Sequence, residues 1–251
     1  MLDVGSTPEG RRNRTVGVLG GMGPLATVET YRRIVASTPA RRDQDHLHVV
    51  IDSNPAVPDR TAALLSGGED PRPLLHAGAQ RLVVAGAEVL CVPCNTAHAY
   101  HEWLQRRVPV PIVHMLRETA SRVAALGARR VGLLATTGTV ATGLYQAELQ
   151  RAGLGLVALE DPVQRRVMAA IGAIKAGDTG EGVVSALAAA ALCLVSAGAD
   201  HVVVGCTEIS LVAGELPLPV PVVDALDVLV SSTLRVATSV PEPPELVPHV
   251  V

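Results

Sequence analysis

Two segments of the chain repeat one pattern: AGAEVLCVPCNTAH spans residues 85–98, and AGADHVVVGCTEIS spans residues 197–210. Each segment opens with small turn residues, continues as an apolar run and ends in a polar turn. Aligned without a gap, Cys94 falls opposite Cys206. Because a short apolar run between turn signals predicts a buried strand, we expect both cysteines to follow equivalent strands of a duplicated fold.

Two further pairs of segments extend the duplication over most of the chain. VGVLGGMGPLAT (residues 16–27) resembles VGLLATTGTVAT (residues 131–142), and VPVPIVH (residues 108–114) resembles LPVPVVD (residues 218–224). The three pairs keep their order along the chain, as expected when a repeated unit has diverged by small insertions and deletions.

Apolar runs alternate with Ala-rich helical stretches, which is typical of α/β folds with parallel sheets. The runs lie at residues 16–20, 47–52, 87–92 and 111–115, and again at 130–136, 154–160, 200–205 and 221–225. We therefore predict two similar α/β lobes related by pseudo-twofold symmetry. Each lobe should hold a parallel sheet of about four strands flanked by helices.

The same alternation gives expected domain boundaries. Residues 15–112 together with 224–241 should form the first lobe, and residues 113–223 the second. The last helix should pack on the first lobe. Residues 1–14 are expected to be a flexible tail, and residues 242–251, rich in proline, an irregular one.

Composition and charge argue against nucleic-acid binding, secretion and a membrane span. A net charge of −3 without a long basic run disfavours a nucleic-acid surface. The polar first fifteen residues lack the apolar stretch of a secretory signal, which predicts a cytoplasmic protein. Residues 183–199 are uncharged but Ala-rich, and the equivalent stretch of the first copy carries Arg81, so a buried helix is favoured over a membrane span.

The position of the two cysteines predicts a site between the lobes. Ligands of open parallel sheets bind beyond the carboxyl ends of the strands, where Cys94 and Cys206 are expected. The residues after them, Asn95 and Thr96 or Thr207 and Glu208, are suited to capping a following helix. The start of a helix favours an anion and would lower the pKa of a thiol there.

The other cysteines suggest packing rather than chemistry. Cys91 and Cys94 form a C-x-x-C that, with His98, superficially resembles a zinc or dithiol site. In the second copy Val203 replaces Cys91, so this position is expected in a strand core and no metal is predicted. Cys193, within an Ala/Leu helix, is expected to be a packed small apolar residue.

The charged residues and the histidine that are candidates for the site each allow two interpretations. Arg60 and Lys175 could be surface charges or, in a cleft that admits a carboxylate, its anchors. Glu208 could bind a substrate ammonium group or backbone amides at a helix start. His98, one helical turn beyond Cys94, could tune the site or serve as a capping or packing residue.

Five motifs together resemble the aspartate/glutamate racemase family, most closely its aspartate racemase branch. They are GVLGGMGPLAT at residues 17–27, SNPAVPDRT at 53–61, PCNTAH at 93–98, ATTGT at 135–139 and GCTEI at 205–209. The similarity spans residues 16–229, nearly the whole chain.

The resemblance implies an amino-acid racemase that uses neither pyridoxal phosphate nor a metal. Cys94 and Cys206 would act as thiolate base and thiol acid on opposite faces of the substrate Cα. The substrate-binding positions implied by the family are Met22, Gly23, Arg60, Asn95, Thr96, Thr137, Thr139, Lys175 and Thr207. Glu208 is added as a candidate substrate-binding residue from its position after Cys206, with both of its interpretations open. Arg60 and Lys175 would hold the carboxylates of an acidic amino acid, and family members are often homodimers.

Other functions fit parts of the same pattern. A racemase or epimerase of another amino acid or derivative would need only different pocket residues, and the wider superfamily contains maleate-type isomerases and decarboxylases. A small-carboxylate binding protein built on the same lobes would bind without exchanging a Cα proton. Retention of both cysteines favours the racemase over a decarboxylase, which can work with one cysteine, whereas a maleate-type isomerase also keeps two.

Overall fold

A computed structural model of the protein describes residues 13–238, so residues 1–12 of the predicted N-terminal tail and the tail at 242–251 lie outside the described part. The strands of this part are β1 (Val16–Gly20), β2 (Val49–Ser53), β3 (Val89–Cys91), β4 (Arg130–Ala135), β5 (Gly155–Val157), β6 (His201–Gly205) and β7 (Val222–Asp224). The α-helices are α1 (Pro24–Ser37), α2 (Arg60–Leu65), α3 (Arg72–Val84), α4 (His101–Gln105), α5 (Met115–Ala125), α6 (Thr137–Ala141), α7 (Leu144–Arg151), α8 (Asp161–Lys175), α9 (Glu181–Ser196) and α10 (Ala225–Thr238).

The strands form two parallel sheets, which confirms the predicted α/β fold with two lobes. The first sheet has the order β2-β1-β3 and the second β5-β4-β6-β7. The two orders correspond: the first strand of each copy is flanked by the second and third. Strands β1 and β6 are buried along their whole length, as central strands of a sheet covered on both faces should be.

The fourth strand predicted for the first sheet is reduced to a single bridge. Only Leu90 and Ile112 pair in parallel there. Pro111 has no N–H to donate to a longer ladder, and His114 already caps α5 by accepting from the backbone N–H of Arg117. The first sheet therefore has three strands where about four were expected.

The core is aliphatic and has three parts. One cluster lies in the first lobe around Leu19, Leu82 and Leu90. A second lies in the second lobe around Leu134, Ile171 and Leu187. The third, around Val18, Met115, Leu133 and Leu229, joins residues of both sheets. This shared cluster fixes how the strand ends of the two lobes meet.

Helix α9 packs against β4, β6 and α8, as the burial of residues such as Leu187, Ala191 and Leu194 shows. Between residues 13 and 238, no helix is long and apolar enough to cross a membrane. The prediction for Cys193 was wrong: its side chain is exposed, because the core-facing stripe of α9 passes through Leu194 and leaves Cys193 on the solvent side.

Helix α10 contacts α1 and β3 of the first lobe, as expected, and also α5 and β7. It therefore lies at the junction of the two lobes. The division of the chain at residues 112–113 and 223–224 stays a prediction.

Candidate active site

Both aligned cysteines line one cavity between the lobes. It contains about 310 Å³ of space free of protein atoms, part of it open to solvent. Its lining residues are Met22, Asp59, Arg60, Thr61, Cys94, Asn95, Thr96, Thr136, Lys175, Gly205, Cys206, Thr207 and Glu208. Cys94 follows β3 and Cys206 follows β6, so the cavity lies beyond the carboxyl ends of both sheets.

His98 lies behind Cys94 and fixes its backbone. The backbone N–H of Met115 donates to Nε2 of His98 over 3.1 Å, and Nδ1 of His98 lies 2.9 Å from the carbonyl oxygen of Cys94. Because Nε2 accepts, the ring must donate from Nδ1–H. Burial, followed by the neighbouring His114, lowers the pKa of His98 to about 3, so the imidazole is neutral at neutral pH.

Cys91 takes no part in the cavity. It pairs with Val18 inside the first sheet and packs in the core cluster shared by the lobes. Burial raises the pKa of its thiol to about 12. The expectation that Cys91 is a strand-core residue is confirmed.

Asn95 offers an amide donor to the cavity. The hydroxyl of Tyr145 donates to Oδ1 of Asn95 over 2.7 Å, which fixes the orientation of the side-chain amide. Its Nδ2 is buried and has no hydrogen-bond partner among the described residues. The predicted capping role is wrong for Asn95: the 3₁₀ helix Thr96–Tyr100 that follows receives no side-chain cap from it.

Three threonine hydroxyls join the lobes beside Cys94. Oγ1 of Thr96 lies 2.9 Å from Oγ1 of both Thr136 and Thr139, which are 3.0 Å apart. Thr136 also caps α6 by accepting from the backbone N–H of Thr139. Since a hydroxyl donates one hydrogen bond and accepts others, this cluster orients Thr96 and Thr136 at the cavity wall.

Cys206 donates a hydrogen bond to a carboxylate. Its Sγ lies 3.1 Å from Oε2 of Glu208, and both side chains are buried. Burial, followed by the charge of Glu208, raises the pKa of Cys206 well above its ordinary value, while Lys175 acts weakly in the opposite direction. The structure therefore holds Cys206 as a thiol. Oε1 of Glu208 is buried and has no partner among residues 13–238.

The loop that carries Cys206 is tied to α1 by Arg33. The guanidinium donates to the carbonyl oxygen of Ser210 over 2.6 Å and to Oδ2 of Asp224 over 2.6 Å. Asp224 in turn accepts from the hydroxyl of Ser210 and the backbone N–H of Leu226. An ion pair between residues 191 positions apart therefore lies beside the loop that carries Cys206.

Arg60 begins α2 and is held by backbone carbonyl groups. Its Nη1 donates to the carbonyl oxygens of Val57 and Pro58, and its Nη2 to that of Met22, over 3.0–3.2 Å. Its Nε is buried and unpartnered, and no carboxylate of the described chain forms an ion pair with it. The Nε–H of Arg60 is therefore a donor that no described residue satisfies.

Lys175, the last residue of α8, lines the cavity and is exposed. It forms no ion pair with any of the described residues. Asp59 also lines the cavity, but its carboxylate accepts from the backbone N–H of Ala62 as the cap of α2.

The Gly-rich turn after β1 forms one wall. Gly21 has a φ of 86°, and a Cβ there would lie 2.3 Å from the backbone of Asn54, so only glycine fits. Gly23 precedes α1, which begins with Pro24 at its first position, where the missing N–H of proline costs nothing. A Cβ on Gly23 would lie 3.1 Å from Oε1 of Glu208, so this turn lies directly beside the carboxylate.

The structure brings most of the predicted residues together, with three differences. Gly23, Thr137 and Thr139 do not line the cysteine cavity: Thr139 lies behind Thr96, and the backbone N–H of Thr137 donates to Sδ of Met168. Four lining residues were not predicted, Asp59, Thr61, Thr136 and Gly205. All four lie within the five sequence motifs, so motif membership was the available signal.

The arrangement is suited to moving a proton. One thiol is kept protonated by a neighbouring carboxylate, a second cysteine lies in the same cavity, and an unpartnered amide and two cations surround them. Such groups can bind a small zwitterion with carboxylate groups and stabilise negative charge that develops on it.

Comparisons with known proteins find a matching family and similar relatives. The profile of the Asp/Glu/Hydantoin racemase family matches residues 19–233. The chain is similar to the broad specificity amino-acid racemase RacX of Bacillus subtilis, with 28% identity over 223 residues that cover 87% of this chain and 96% of that protein.

Solved structures show the same fold. The aspartate racemase of Picrophilus torridus superposes with a TM-score of 0.80 at 29% identity, covering 89% of this chain and 94% of that one. Glutamate racemase from Francisella tularensis, in complex with D-glutamate, superposes with a TM-score of 0.67 at 16% identity, covering 89% of this chain and 81% of that one. The second likeness concerns the fold alone.

Proposed function

Because the chain belongs to the Asp/Glu/hydantoin racemase family, we propose that it racemises an acidic amino acid, aspartate or glutamate, by two-base proton transfer at Cα. Cys94 and Cys206 are the two bases. The observation that carries the proposal is that these two cysteines, from equivalent strand ends of the two lobes, line one small cavity.

The reaction needs one cysteine as thiolate and the other as thiol. In one direction Cys94 removes the Cα proton as a thiolate, and Cys206 delivers its own proton to the opposite face of the carbanion. The hydrogen bond from Cys206 to Glu208 supports this assignment, because it keeps the proton on sulfur until the carbanion forms. The product leaves the two protonation states exchanged, and the opposite enantiomer is processed from that state.

The carbanion requires donors placed before the proton leaves. Nδ2 of Asn95 is a buried donor without a partner in the described chain, and its orientation is fixed by Tyr145. A preorganised donor of this kind contributes about 3 kcal/mol of transition-state stabilisation in other enzymes. We assign Asn95, with the hydroxyls of Thr96 and Thr136, to the substrate α-carboxylate.

Charge pairing supports an acidic substrate. Arg60 keeps Nε–H free, and Lys175 is a second cation at the same wall. We assign the side-chain carboxylate to these two residues. Oε1 of Glu208, buried and without a partner between residues 13 and 238, is the acceptor for the substrate ammonium group. His98 positions Cys94 through its backbone carbonyl, and Thr207 steadies the opposite wall by donating to the carbonyl oxygen of Pro93.

Substrate contacts of Met22 belong to the same proposal, whereas those of Gly23, Thr137 and Thr139 stay predictions. The homodimer and the cytoplasmic location expected from the sequence also stay predictions. Sedimentation of the purified protein measures the first of these directly.

The test is to incubate the protein with L- or D-aspartate, and then with glutamate, in heavy water. Loss of the Cα proton is followed by NMR and the enantiomers are separated by chiral chromatography. We expect deuterium at Cα together with the opposite enantiomer for at least one of the two acids. If neither acid exchanges, the acidic-amino-acid assignment is wrong; binding without exchange would indicate a carboxylate-binding protein instead.

A further inference from the structure

A second chamber lies beside the cysteine cavity and is partly open to solvent. It contains about 780 Å³ of space free of protein atoms, again partly open, compared with about 310 Å³ in the cysteine cavity. The two share Met22, Asp59, Arg60, Lys175 and Glu208. They are therefore adjacent, and the shared residues, here called the neck, lie between them.

The residues that line this outer chamber beyond the neck are less polar than those of the neck. Among the described residues, all of the charged side chains in the wall of the outer chamber belong to the shared set. The residues that line only the outer chamber are glycine or apolar: Gly21, Gly23, Pro24, Leu25, Pro55, Val57 and Ile174. An atom that lies beyond the neck therefore meets no polar side chain of this set, and an apolar group is favoured there.

A substrate side chain that crosses the neck does not need to carry a negative charge. Arg60 already donates to three backbone carbonyl oxygens, and Lys175 is exposed, so its ammonium group keeps its hydration. An uncharged side chain can cross between them without leaving a buried cation unpaired. Arg60 would then use its free Nε–H for the α-carboxylate.

We propose that the outer chamber is a side-chain subsite, and that the enzyme also accepts α-amino acids whose side chains continue as an apolar segment beyond the length of aspartate. Norleucine, methionine and phenylalanine represent this class. The inference rests on the proposed racemase function and extends its substrate range. Each further methylene that enters the chamber should raise kcat/KM by up to about fourfold.

The test compares Cα exchange in heavy water for aspartate, alanine, 2-aminobutyrate, norvaline, norleucine and phenylalanine. We expect kcat/KM to rise along the apolar series from alanine to norleucine. A flat or falling series, with aspartate still exchanging, would overturn the subsite and leave the proposed function standing. Exchange of no compound, aspartate included, would overturn the proposed function itself, and the subsite with it.

A pair of variants on α1 locates the effect. Leu25 lines only the outer chamber, whereas Val28, one turn further along the same helix, is exposed and outside it. Leu25→Gln keeps a similar side-chain length without adding charge, and should lower the norleucine-to-alanine ratio of kcat/KM by about fivefold. Val28→Gln should leave that ratio unchanged. Equal ratios in both variants would place the long side chain elsewhere and overturn the assignment.

Discussion

The thiol of Cys206 donates to Oε2 of Glu208, and the two side chains lie together in the wall of the cavity. This contact makes the two cysteines of the site unequal although they occupy equivalent strand ends. The second lobe supplies a carboxylate beside its sulfur, whereas the first lobe supplies a neutral imidazole behind the backbone of Cys94.

Removing the charge of Glu208 should increase the reactivity of Cys206. Burial and that charge both raise the pKa of the thiol, so Glu208→Gln removes one of the two causes and lowers the pKa. The rate of alkylation of Cys206 by iodoacetamide at pH 8, followed by mass spectrometry of the peptide, should rise at least about threefold. Glu208→Asp keeps the charge and is the matched control. Equal rates in both variants would show that the carboxylate does not hold the proton on sulfur.

The Arg33 cluster should contribute to stability through its buried partner. Arg33→Met leaves the carboxylate of Asp224 buried without its cation, which should lower the free energy of unfolding by about 3 kcal/mol. Asp227→Asn breaks another ion pair of the same arginine, but Asp227 is 69% exposed, so the loss should stay below about 1 kcal/mol. Urea denaturation measures both. The account of the cluster fails if the two variants are equally stable.

Only part of this site was accessible from the sequence. The duplicated strand ends predicted that Cys94 and Cys206 would meet, because ligands of open parallel sheets bind beyond the carboxyl ends of the strands and two facing lobes share that cleft. The ion pair from Arg33 to Asp224 was not predictable, since α1 gives no signal of a partner 191 residues away. The role of Glu208 was not predictable either. Among residues 13–238 its side chain bonds neither a backbone amide nor an ammonium group, and it accepts instead from the thiol two residues before it.

The same limit applies to the fold. The apolar runs predicted eight strands, and seven of them are present. The eighth is reduced to one bridge at Ile112, because Pro111 has no N–H to donate and His114 caps α5. Cys193 was misplaced because an Ala/Leu helix gives a weak contrast between its buried and exposed faces.

A methyl group on Gly138 should disturb the contact between α2 and α6. A Cβ there would lie 2.6 Å from Oγ1 and 3.1 Å from Cα of Thr61, so the helices that carry Arg60 and Thr139 must separate. We expect Gly138→Ala to lower kcat/KM at least about tenfold, because small displacements of positioning groups are costly. Gly172→Ala in α8, where a Cβ meets nothing within 4 Å, is the control and should keep full activity. Steady-state kinetics on both variants decides between these outcomes.

The buried histidines should make stability depend on pH in the acid range. Burial, followed by His101, lowers the pKa of His114 to about 4 in the folded protein. The unfolded chain, with an imidazole pKa of about 6.5, binds the proton first, so the free energy of unfolding falls as pH drops from about 6.5 toward about 4.

His114→Asn tests this contribution, because asparagine can still cap α5 but does not titrate. The slope of the free energy of unfolding against pH in that window should decrease by up to about 1.4 kcal/mol per pH unit. Denaturation curves at pH 7, 6 and 5 measure it. An unchanged slope would mean that His114 does not titrate differently in the two states.

The measurement that bears most directly on the central claim is Cα exchange by Cys94→Ser and Cys206→Ser, each assayed with both enantiomers of the substrate in heavy water. Cys193→Ser, a change at an exposed thiol outside the cavity, is the control and should match the parent. Two-base catalysis predicts that each cavity variant loses net racemisation by at least about a thousandfold. Racemisation within tenfold of the parent in either cavity variant would contradict it.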